Sequence, residues 1–222
     1  MKTGGKGLSK IKLFIFDLDG TLVDAYPAIY ASLNFTLEKL GLKKVGFTRI
    51  KKAVGKGDRK FIQEFFPSEL EDKALSIYRK RHREDLLKYA KPMSYAKLLL
   101  RYLKSKGWKI AIASNRPTVF TNLVLRKLNM KKYIDYVLCG DRASQLKPDP
   151  EIIYRILQRF KLRPEAAIYI GDMVIDVETA KNAKVKSIAV ATGSSTQREL
   201  KNAGPTYLVE SLQNIRDILS FF

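Results

Sequence analysis

Two aspartates two positions apart, Asp17 and Asp19, are the residues whose spacing most directly indicates chemistry in this sequence. They follow an apolar run at 13–16, and Gly20 then allows the chain to turn. Because alternate residues of a strand point to the same side, the two carboxylates are expected on one face where the strand ends. Like charges this close repel unless a cation lies between them or one carboxyl keeps its proton. The pair therefore predicts a metal-assisted site with a nucleophile and an acid/base.

Three further polar segments come at or just after the ends of other apolar runs. They offer a hydroxyl and an amide for an anion, an ammonium to neutralise it, and two carboxylates for a hard cation: Ser114, Asn115, Lys147, Asp172 and Asp176. If the apolar runs form parallel strands, their carboxyl ends meet at one edge of the sheet. We therefore expect the fold to gather these side chains beside the two aspartates.

The elements that must position these residues alternate along the chain. Short apolar runs that predict strands occupy 13–16, 110–113, 136–138, 167–170 and 187–190. Segments with apolar residues at helical spacing lie between them, at 95–106, 119–128, 150–160 and 174–183. This alternation predicts an α/β fold, with a parallel sheet and helices on both of its faces.

The interval 24–91 breaks the alternation, because it contains helical patterns and no convincing strand. We expect it to form an inserted helical domain, while 1–23 and 92–222 together form the α/β core domain. The insertion begins just after Asp19 and its turn. It is therefore expected to lie above the strand ends, where α/β proteins bind ligands.

Within the insertion, the segment 54–59 is rich in glycine and in basic residues. Such a loop can approach a bound anion and present Lys56 or Arg59 to it, and Arg59 is our candidate substrate ligand; a solvated turn is the alternative interpretation. His82 lies among arginines and a lysine on a polar helical stretch, and we expect no catalytic role for it.

The composition allows a sizeable core, since 45% of the 222 residues are apolar. The 42 lysines and arginines exceed the 22 acidic residues and give a net charge of +20. That excess would attract nucleic acid, anionic membrane or a phosphorylated metabolite equally well. Because the basic residues are dispersed and lack interleaved aromatics, we favour a solvated basic surface and expect only weak, non-specific binding of nucleic acid.

The sequence also indicates a compartment. No segment approaches the roughly 18–20 continuous apolar residues of a membrane-spanning helix, and no signal-peptide core follows the lysine- and glycine-rich start. The single cysteine, Cys139, permits no internal disulfide and lies in an apolar run, so we expect a buried small hydrophobe. We expect a soluble cytoplasmic protein without a membrane partner, and the sequence leaves its oligomeric state open.

Taken together, the motifs closely resemble the haloacid dehalogenase superfamily in its phosphatase branch. Four family motifs match in order over nearly the whole chain: Asp17-Leu18-Asp19-Gly20-Thr21, Ser114, Lys147, and Gly171-Asp172 with Asp176. The most similar subfamily is that of the phosphoglycolate phosphatases. The resemblance implies a Rossmann-like parallel sheet core and an α-helical cap domain formed by the insertion.

The resemblance also implies a role for each motif. Asp17 would attack phosphorus to give an aspartyl-phosphate, and Asp19 would protonate the leaving oxygen and later accept a proton from water. Lys147 would offset the charge that otherwise repels the nucleophile. Ser114 and the Asn115 amide would hold the phosphoryl oxygens.

The cofactor that the resemblance implies is Mg²⁺. Its ligands would be the Asp17 carboxylate, the Asp19 main-chain carbonyl and Asp172, with water and phosphate completing the shell. Asp176 is a fourth candidate for the metal. It lies one helical turn beyond Asp172, so orienting Lys147 or a metal-bound water is the alternative role for it.

These residues favour hydrolysis of a small, phosphoglycolate-like phosphomonoester. A phosphohexomutase or an inorganic pyrophosphatase uses the same core site and is the enzymatic alternative, which only the cap can distinguish. A nucleic-acid-binding protein on a relic enzyme core is a further alternative, and the intact motif set argues against it. Asp19 argues against dehalogenase activity, since the dehalogenases of this superfamily would have a residue unable to transfer protons there.

Overall fold

A parallel sheet occupies the centre of the computed structural model, which describes residues 11–219. The described strands are β1 Leu13–Phe16, β2 Val23–Asp24, β3 Lys91–Pro92, β4 Lys109–Ser114, β5 Tyr136–Cys139, β6 Ala167–Gly171, β7 Lys186–Val190 and β8 Tyr207–Val209. Six of them pair in the order β5-β4-β1-β6-β7-β8, all parallel. The predicted α/β class is confirmed.

The position of β1 in this order fixes where a ligand can bind. From β1 the chain first adds β4 on one side and later adds β6 on the other, so the strand order reverses at β1. Phe16 at the end of β1 is in register with Ile112 of β4 and with Ile170 of β6. Residues that follow these three strands therefore meet at the switch point of the sheet, where α/β folds bind ligands.

Helices cover both faces of the sheet, and others form the insertion. The described helices are α1 Tyr26–Lys39, α2 Phe47–Ala53, α3 Asp58–Gln63, α4 Glu71–Tyr89, α5 Ala96–Ser105, α6 Thr118–Lys127, α7 Glu151–Phe160, α8 Val174–Asn182, α9 Gln197–Ala203 and α10 Ile215–Ile218. Leu13 and Ile15 of β1 belong to the apolar cluster that contains the buried face of α7, whereas Phe14 and Phe16 belong to the cluster that contains α5. Strand residues alternate between faces, so a strand covered on both sides is apolar throughout.

The helices α1 to α4 lie within the predicted insertion, and α1 packs along α4. At the two connections to the sheet, β2 and β3 form a short antiparallel pair with Asp24 opposite Lys91. The main-chain N–H of Met93 donates to the carbonyl of Leu22 next to this pair. The two connecting segments are therefore held side by side.

Some elements were not predicted. Strands β2 and β3 have two residues each, and β8 has three half-buried residues at the sheet edge, so none shows an alternating pattern. These strands form because they pair with neighbouring strands, and a local sequence pattern does not indicate such pairing. Cys139 is a free, buried thiol as expected. None of the helices within 11–219 is long and apolar enough to cross a membrane.

Candidate active site

Asp17 lies at the carboxyl end of the central strand. Its main-chain N–H donates to the carbonyl of Ile170 on β6, which extends the parallel pairing by one step and fixes the residue at the switch point. Its side chain is buried, with 5% exposure for the residue. Burial raises the pKa of Asp17 to about 7 against the opposing effect of the Lys147 ammonium, and Asp176 adds to the rise.

Lys147 connects two of the carboxylates. Its ammonium donates to Asp17 Oδ1 at 2.7 Å, to Asp176 Oδ1 at 2.6 Å and to the Tyr169 hydroxyl at 3.0 Å. Burial alone would lower the pKa of Lys147, but the two carboxylates outweigh it and hold that pKa well above its ordinary value. The residue is therefore a permanent cation in contact with Asp17.

Three buried carboxylates gather around this point. Asp17, Asp172 and Asp176 each offer an oxygen, and these oxygens lie within 4.8 Å of one another. Burial, with Asp17 and Asp176 nearby, holds the pKa of Asp172 well above its usual range. One ammonium does not balance three carboxylates, so a further cation is needed to keep all of them ionised. A hard cation such as Mg²⁺ prefers carboxylate oxygens, and the donor set fits it.

The position of the Asp172 carboxylate depends on two glycines, Gly20 and Gly193. Its Oδ1 accepts from the Thr21 hydroxyl at 2.7 Å, and its Oδ2 accepts from the main-chain N–H of Ser194 at 3.2 Å. A Cβ on Gly193 would lie 1.5 Å from Asp172 Oδ2, and one on Gly20, whose φ is +85°, would lie 2.5 Å from it. Glycine at these positions therefore leaves the space that the carboxylate occupies.

Asp176 is turned toward Lys147 and the start of its own helix. Oδ1 receives the Lys147 ammonium and lies 3.1 Å from the Tyr169 hydroxyl, while Oδ2 accepts from the main-chain N–H of Met173. The structure brings Asp176 into the cluster in a position where it orients Lys147, which is one of the two roles considered for it.

Asp19 is paired with a residue that the sequence analysis did not select. Arg116 Nε lies 3.0 Å from Asp19 Oδ2, and both side chains are buried. Burial raises the pKa of Asp19, although Arg116 and Lys147 act in the opposite direction. Among the described residues, Asp19 Oδ1 and Arg116 Nη1 have no hydrogen-bond partner. The ion pair is thus buried, and each of its two side chains can form a further hydrogen bond.

Ser114 and Asn115 follow β4 at the same edge of the sheet. Ser114 is buried and lines the cavity that contains Asp17. The Asn115 side chain is engaged structurally: Oδ1 accepts from the Lys147 N–H at 2.9 Å, and Nδ2 donates to the Gly55 carbonyl at 2.8 Å. Asn115 therefore joins the β4 edge to the lysine segment and to the loop of the insertion.

Arg59 is placed differently from our expectation. Its guanidinium pairs with Asp72 at 3.0 Å, its side chain is 58% exposed, and it is not among the cavity-lining residues of the described chain. Lys56 is likewise exposed and pairs with Glu64 at 2.7 Å. The loop does approach the site, but through Gly55 and its neighbours rather than through these basic side chains.

The candidate site is a cavity of about 60 Å³ between the insertion and the sheet edge. Its polar residues include Asp17, Asp19, Ser114 and Lys147 from the sheet side. The insertion contributes a largely apolar wall, formed by Ile29, Val54, Phe61, Tyr78 and His82.

The sequence analysis missed Arg116 and Tyr169, and it considered His82 without placing it at the site. Arg116 directly follows the Ser114-Asn115 motif, and its place just past a strand end was an available signal. His82 has charged neighbours, yet it lies four residues after Tyr78 on the buried face of α4. Tyr169 is hidden within an apolar strand and supports Lys147 through its hydroxyl; no local pattern marks it.

Comparison with known proteins identifies a family and related enzymes. The model of the haloacid dehalogenase-like hydrolase family matches residues 14–190. A phosphoglycolate phosphatase of Aquifex aeolicus (strain VF5) is 30% identical over 208 residues, which are 92% of this chain and 98% of that protein. A phosphoglycolate phosphatase of Nitrosococcus oceani is 28% identical over 221 residues, covering 96% of this chain and 98% of that protein.

Solved structures agree on the fold. The crystal structure of a predicted phosphoglycolate phosphatase from Haemophilus somnus 129pt matches with a TM-score of 0.89, covering 96% of this chain and 99% of that one at 22% identity. The family match spans most of the chain, and it contains the aspartate pair, the Ser114 edge, Lys147 and the carboxylates of the cluster. The chain therefore belongs to the haloacid dehalogenase-like hydrolase family, and within it resembles the phosphoglycolate phosphatase branch.

Proposed function

We propose that this enzyme is a Mg²⁺-dependent phosphatase that hydrolyses a small, phosphoglycolate-like phosphomonoester through an aspartyl-phosphate at Asp17. The observation that carries the proposal is the contact of Lys147 with both Asp17 and Asp176, beside Asp172. A permanent cation next to a buried carboxylate offsets the repulsion between that carboxylate and a phosphoryl group. The names of the related proteins support the same chemistry.

In this proposal Asp17 uses its free oxygen as the nucleophile. Attack on phosphorus forms the Asp17–phosphate bond and breaks the bond to the leaving oxygen. Ser114 and the main chain at Asn115 hold the phosphoryl oxygens at the sheet edge. Lys147 favours the ionised form of Asp17 against the effect of burial and holds the carboxylate in place, while Asp176 and Tyr169 hold the lysine.

Asp17, Asp172 and the Asp19 main chain are proposed to hold Mg²⁺, with Asp176 contributing mainly through Lys147. When bound, the ion supplies positive charge against the phosphoryl oxygens and the carboxylates. The fit rests on the three buried carboxylates and on the space that Gly20 and Gly193 leave around Asp172.

Asp19 is proposed as the acid and base. It lines the same cavity as Asp17, and its Oδ1 has no partner among the described residues. Burial favours its protonated form, which can donate to the leaving oxygen. After the organic product leaves, the Asp19 carboxylate accepts a proton from the water that attacks the aspartyl-phosphate, and free phosphate results.

The size of the cavity supports a small substrate. The cavity is narrow because residues of the insertion lie against the sheet edge, so a short organic part fits beside the phosphoryl group better than a large one. We therefore propose that 24–91 acts as the cap domain over a core formed by 1–23 and 92–222. Apolar cap residues would exclude water during phosphoryl transfer.

A panel of phosphoesters tests this function. Purified protein with Mg²⁺ is assayed for phosphate release from phosphoglycolate, hexose phosphates, nucleotides and pyrophosphate, and kcat/KM is compared. We expect phosphoglycolate-sized esters to rank first, with release abolished in Asp17→Asn and after metal chelation. Higher kcat/KM for pyrophosphate or a hexose phosphate, or sustained turnover in metal-free protein, contradicts the proposal.

A further inference from the structure

Arg116 offers more hydrogen-bond donors than the described residues use. Nε is paired with Asp19, Nη2 lies 3.4 Å from His82 Nε2, and Nη1 is buried without a partner. The residue is only 8% exposed, yet it lines the same cavity as Asp17. A buried guanidinium with an unused donor is costly, and an anionic group that accepts from it would remove that cost.

His82 of the insertion presents an acceptor to this arginine. An arginine only donates, so His82 Nε2 must carry the lone pair and Nδ1 the proton. Nδ1 lies 3.0 Å from the Ser32 hydroxyl, which in turn lies 3.0 Å from Asp85 Oδ2. Burial and the Arg116 charge lower the pKa of His82 well below its usual value. The ring is therefore neutral and held in one tautomer.

Aromatic rings fix the orientation of His82. It stacks on Tyr78 with centroids 4.9 Å apart, and Phe120 meets it edge-on at 5.2 Å. The Arg116 guanidinium is thus held from the core side by Asp19 and from the insertion by His82. A buried cation fixed in position interacts strongly with an anion placed against it.

This charge contacts the proposed acid and base, Asp19, and not the nucleophile Asp17 or the lysine that holds it. Lys147 contacts Asp17 and Asp176, whereas Arg116 contacts Asp19, on the side where the proposed leaving oxygen is protonated. An anion bound by Arg116 therefore belongs to the organic part of the substrate. The small cavity and the planar fork of a guanidinium both favour a carboxylate, which is planar and compact.

We propose that Arg116, positioned by His82, forms a subsite for a carboxylate on the organic part of the substrate. The inference rests on the proposed phosphatase function and deepens it, because it names the group that distinguishes the substrate from other small phosphoesters. The carboxylate would accept from Nη1, the donor that has no partner among the described residues. Arg116 would thus select phosphorylated hydroxy acids.

Binding measurements test the subsite independently of turnover. In the Asp17→Asn background with Mg²⁺ present, calorimetry gives Kd for phosphoglycolate and for 2-hydroxyethyl phosphate, in which an alcohol replaces the carboxylate. We expect phosphoglycolate to bind about 30-fold tighter, the lower range for a buried charge pair. Equal affinities, or no binding of phosphoglycolate, would overturn the inference without any further variant.

Adding Arg116→Met to this background should reduce the ratio of the two Kd values to nearly one. Arg116→Lys should keep part of the preference for phosphoglycolate because the charge remains. Arg126→Met, which removes an exposed arginine from α6, is the matched control and should leave the preference unchanged. A preference that survives Arg116→Met, or that Arg126→Met also removes, contradicts the subsite.

Pyrophosphate distinguishes a carboxylate from a second phosphate at this position. If Arg116→Met weakens pyrophosphate binding more than phosphoglycolate binding, the subsite is for phosphate and the inference is wrong. Hydrolysis is measured separately, with the wild-type protein, which keeps Asp17. Absence of hydrolysis with an intact binding preference refutes the proposed function alone, so the two failures are distinguishable.

Discussion

The Lys147 ammonium lies 2.7 Å from Asp17 Oδ1, although the two residues are 130 positions apart in the chain. Both side chains are buried, so the contact is an ion pair without water between its partners. It leaves the second oxygen of Asp17 for other partners. The same lysine contacts Asp176, which makes it the link between the end of β1 and the start of α8.

Replacing Lys147 by methionine should lower kcat by about 100-fold or more, and not only raise KM, because the charge it offsets grows during phosphoryl transfer. Steady-state kinetics with phosphoglycolate measure both constants. Lys181→Met, at an exposed position of α8, is the control and should be close to wild type. An effect confined to KM would make Lys147 an anchoring residue instead.

Adding a methyl group at Gly193 should displace Asp172, since the new Cβ would lie 1.5 Å from its Oδ2. We expect Gly193→Ala to weaken Mg²⁺ binding about tenfold or more. Thr21→Val, which removes a 2.7 Å hydrogen bond to Asp172, should act in the same direction with a smaller loss.

Calorimetric titration with Mg²⁺ measures both effects, and circular dichroism checks the fold. Gly46→Ala is the matched control, because a Cβ there meets no described atom within 4 Å. Unchanged Mg²⁺ affinity in both Gly193→Ala and Thr21→Val would show that Asp172 is not a metal ligand.

Mg²⁺ affinity should rise with pH between about 6 and 8. Burial raises the pKa of Asp17 to about 7, so below that pH the metal must displace a proton from the carboxyl. The pKa of Asp172 is also held well above its usual range, so this second ligand must lose its proton as well, and the affinity should keep rising until both carboxyls are ionised. Calorimetry in two buffers of different ionisation enthalpy should detect at least about one proton released at pH 6. Affinity that is constant from pH 6 to 8 would rule out a carboxyl of this cluster as a titrating ligand.

The net charge of +20 should not produce specific nucleic-acid binding. The basic residues are dispersed, and several are paired with carboxylates, as in the Arg59–Asp72 and Lys104–Asp135 contacts. We expect labelled DNA or RNA to bind at about 10⁻⁴–10⁻⁶ M near 0.15 M salt, as non-specific partners do. Sub-micromolar binding that reflects six or more released counterions would instead indicate a nucleic-acid partner.

The sequence predicted the sheet edge well, because short apolar runs that end in polar residues define both the strands and the side chains that follow them. Asp17, Lys147 and Asp172 come together for this reason, since parallel strands end at a common edge. Edge strand β8 and the β2–β3 pair were not predictable, because pairing rather than local pattern forms them.

The cap side of the site was harder to predict. Arg59 and His82 both lie in strongly basic stretches, and composition suggested that the first approaches an anion and that the second has no catalytic role. Packing decides where each side chain lies: α4 buries the face that carries Tyr78 and His82, whereas Arg59 pairs with Asp72 at the surface. Only the relative orientation of the helices decides which charges reach the cavity.

The most direct test of the account is to trap the covalent intermediate. Protein is mixed with excess phosphoglycolate and Mg²⁺, quenched in acid during turnover and reduced with borohydride, which converts an acyl phosphate to an alcohol. Mass spectrometry of the peptide that contains β1 should then show homoserine in place of Asp17, and the signal should be absent from Asp17→Asn. Phosphate on another residue, or turnover without any modification of Asp17, would contradict nucleophilic catalysis by this aspartate.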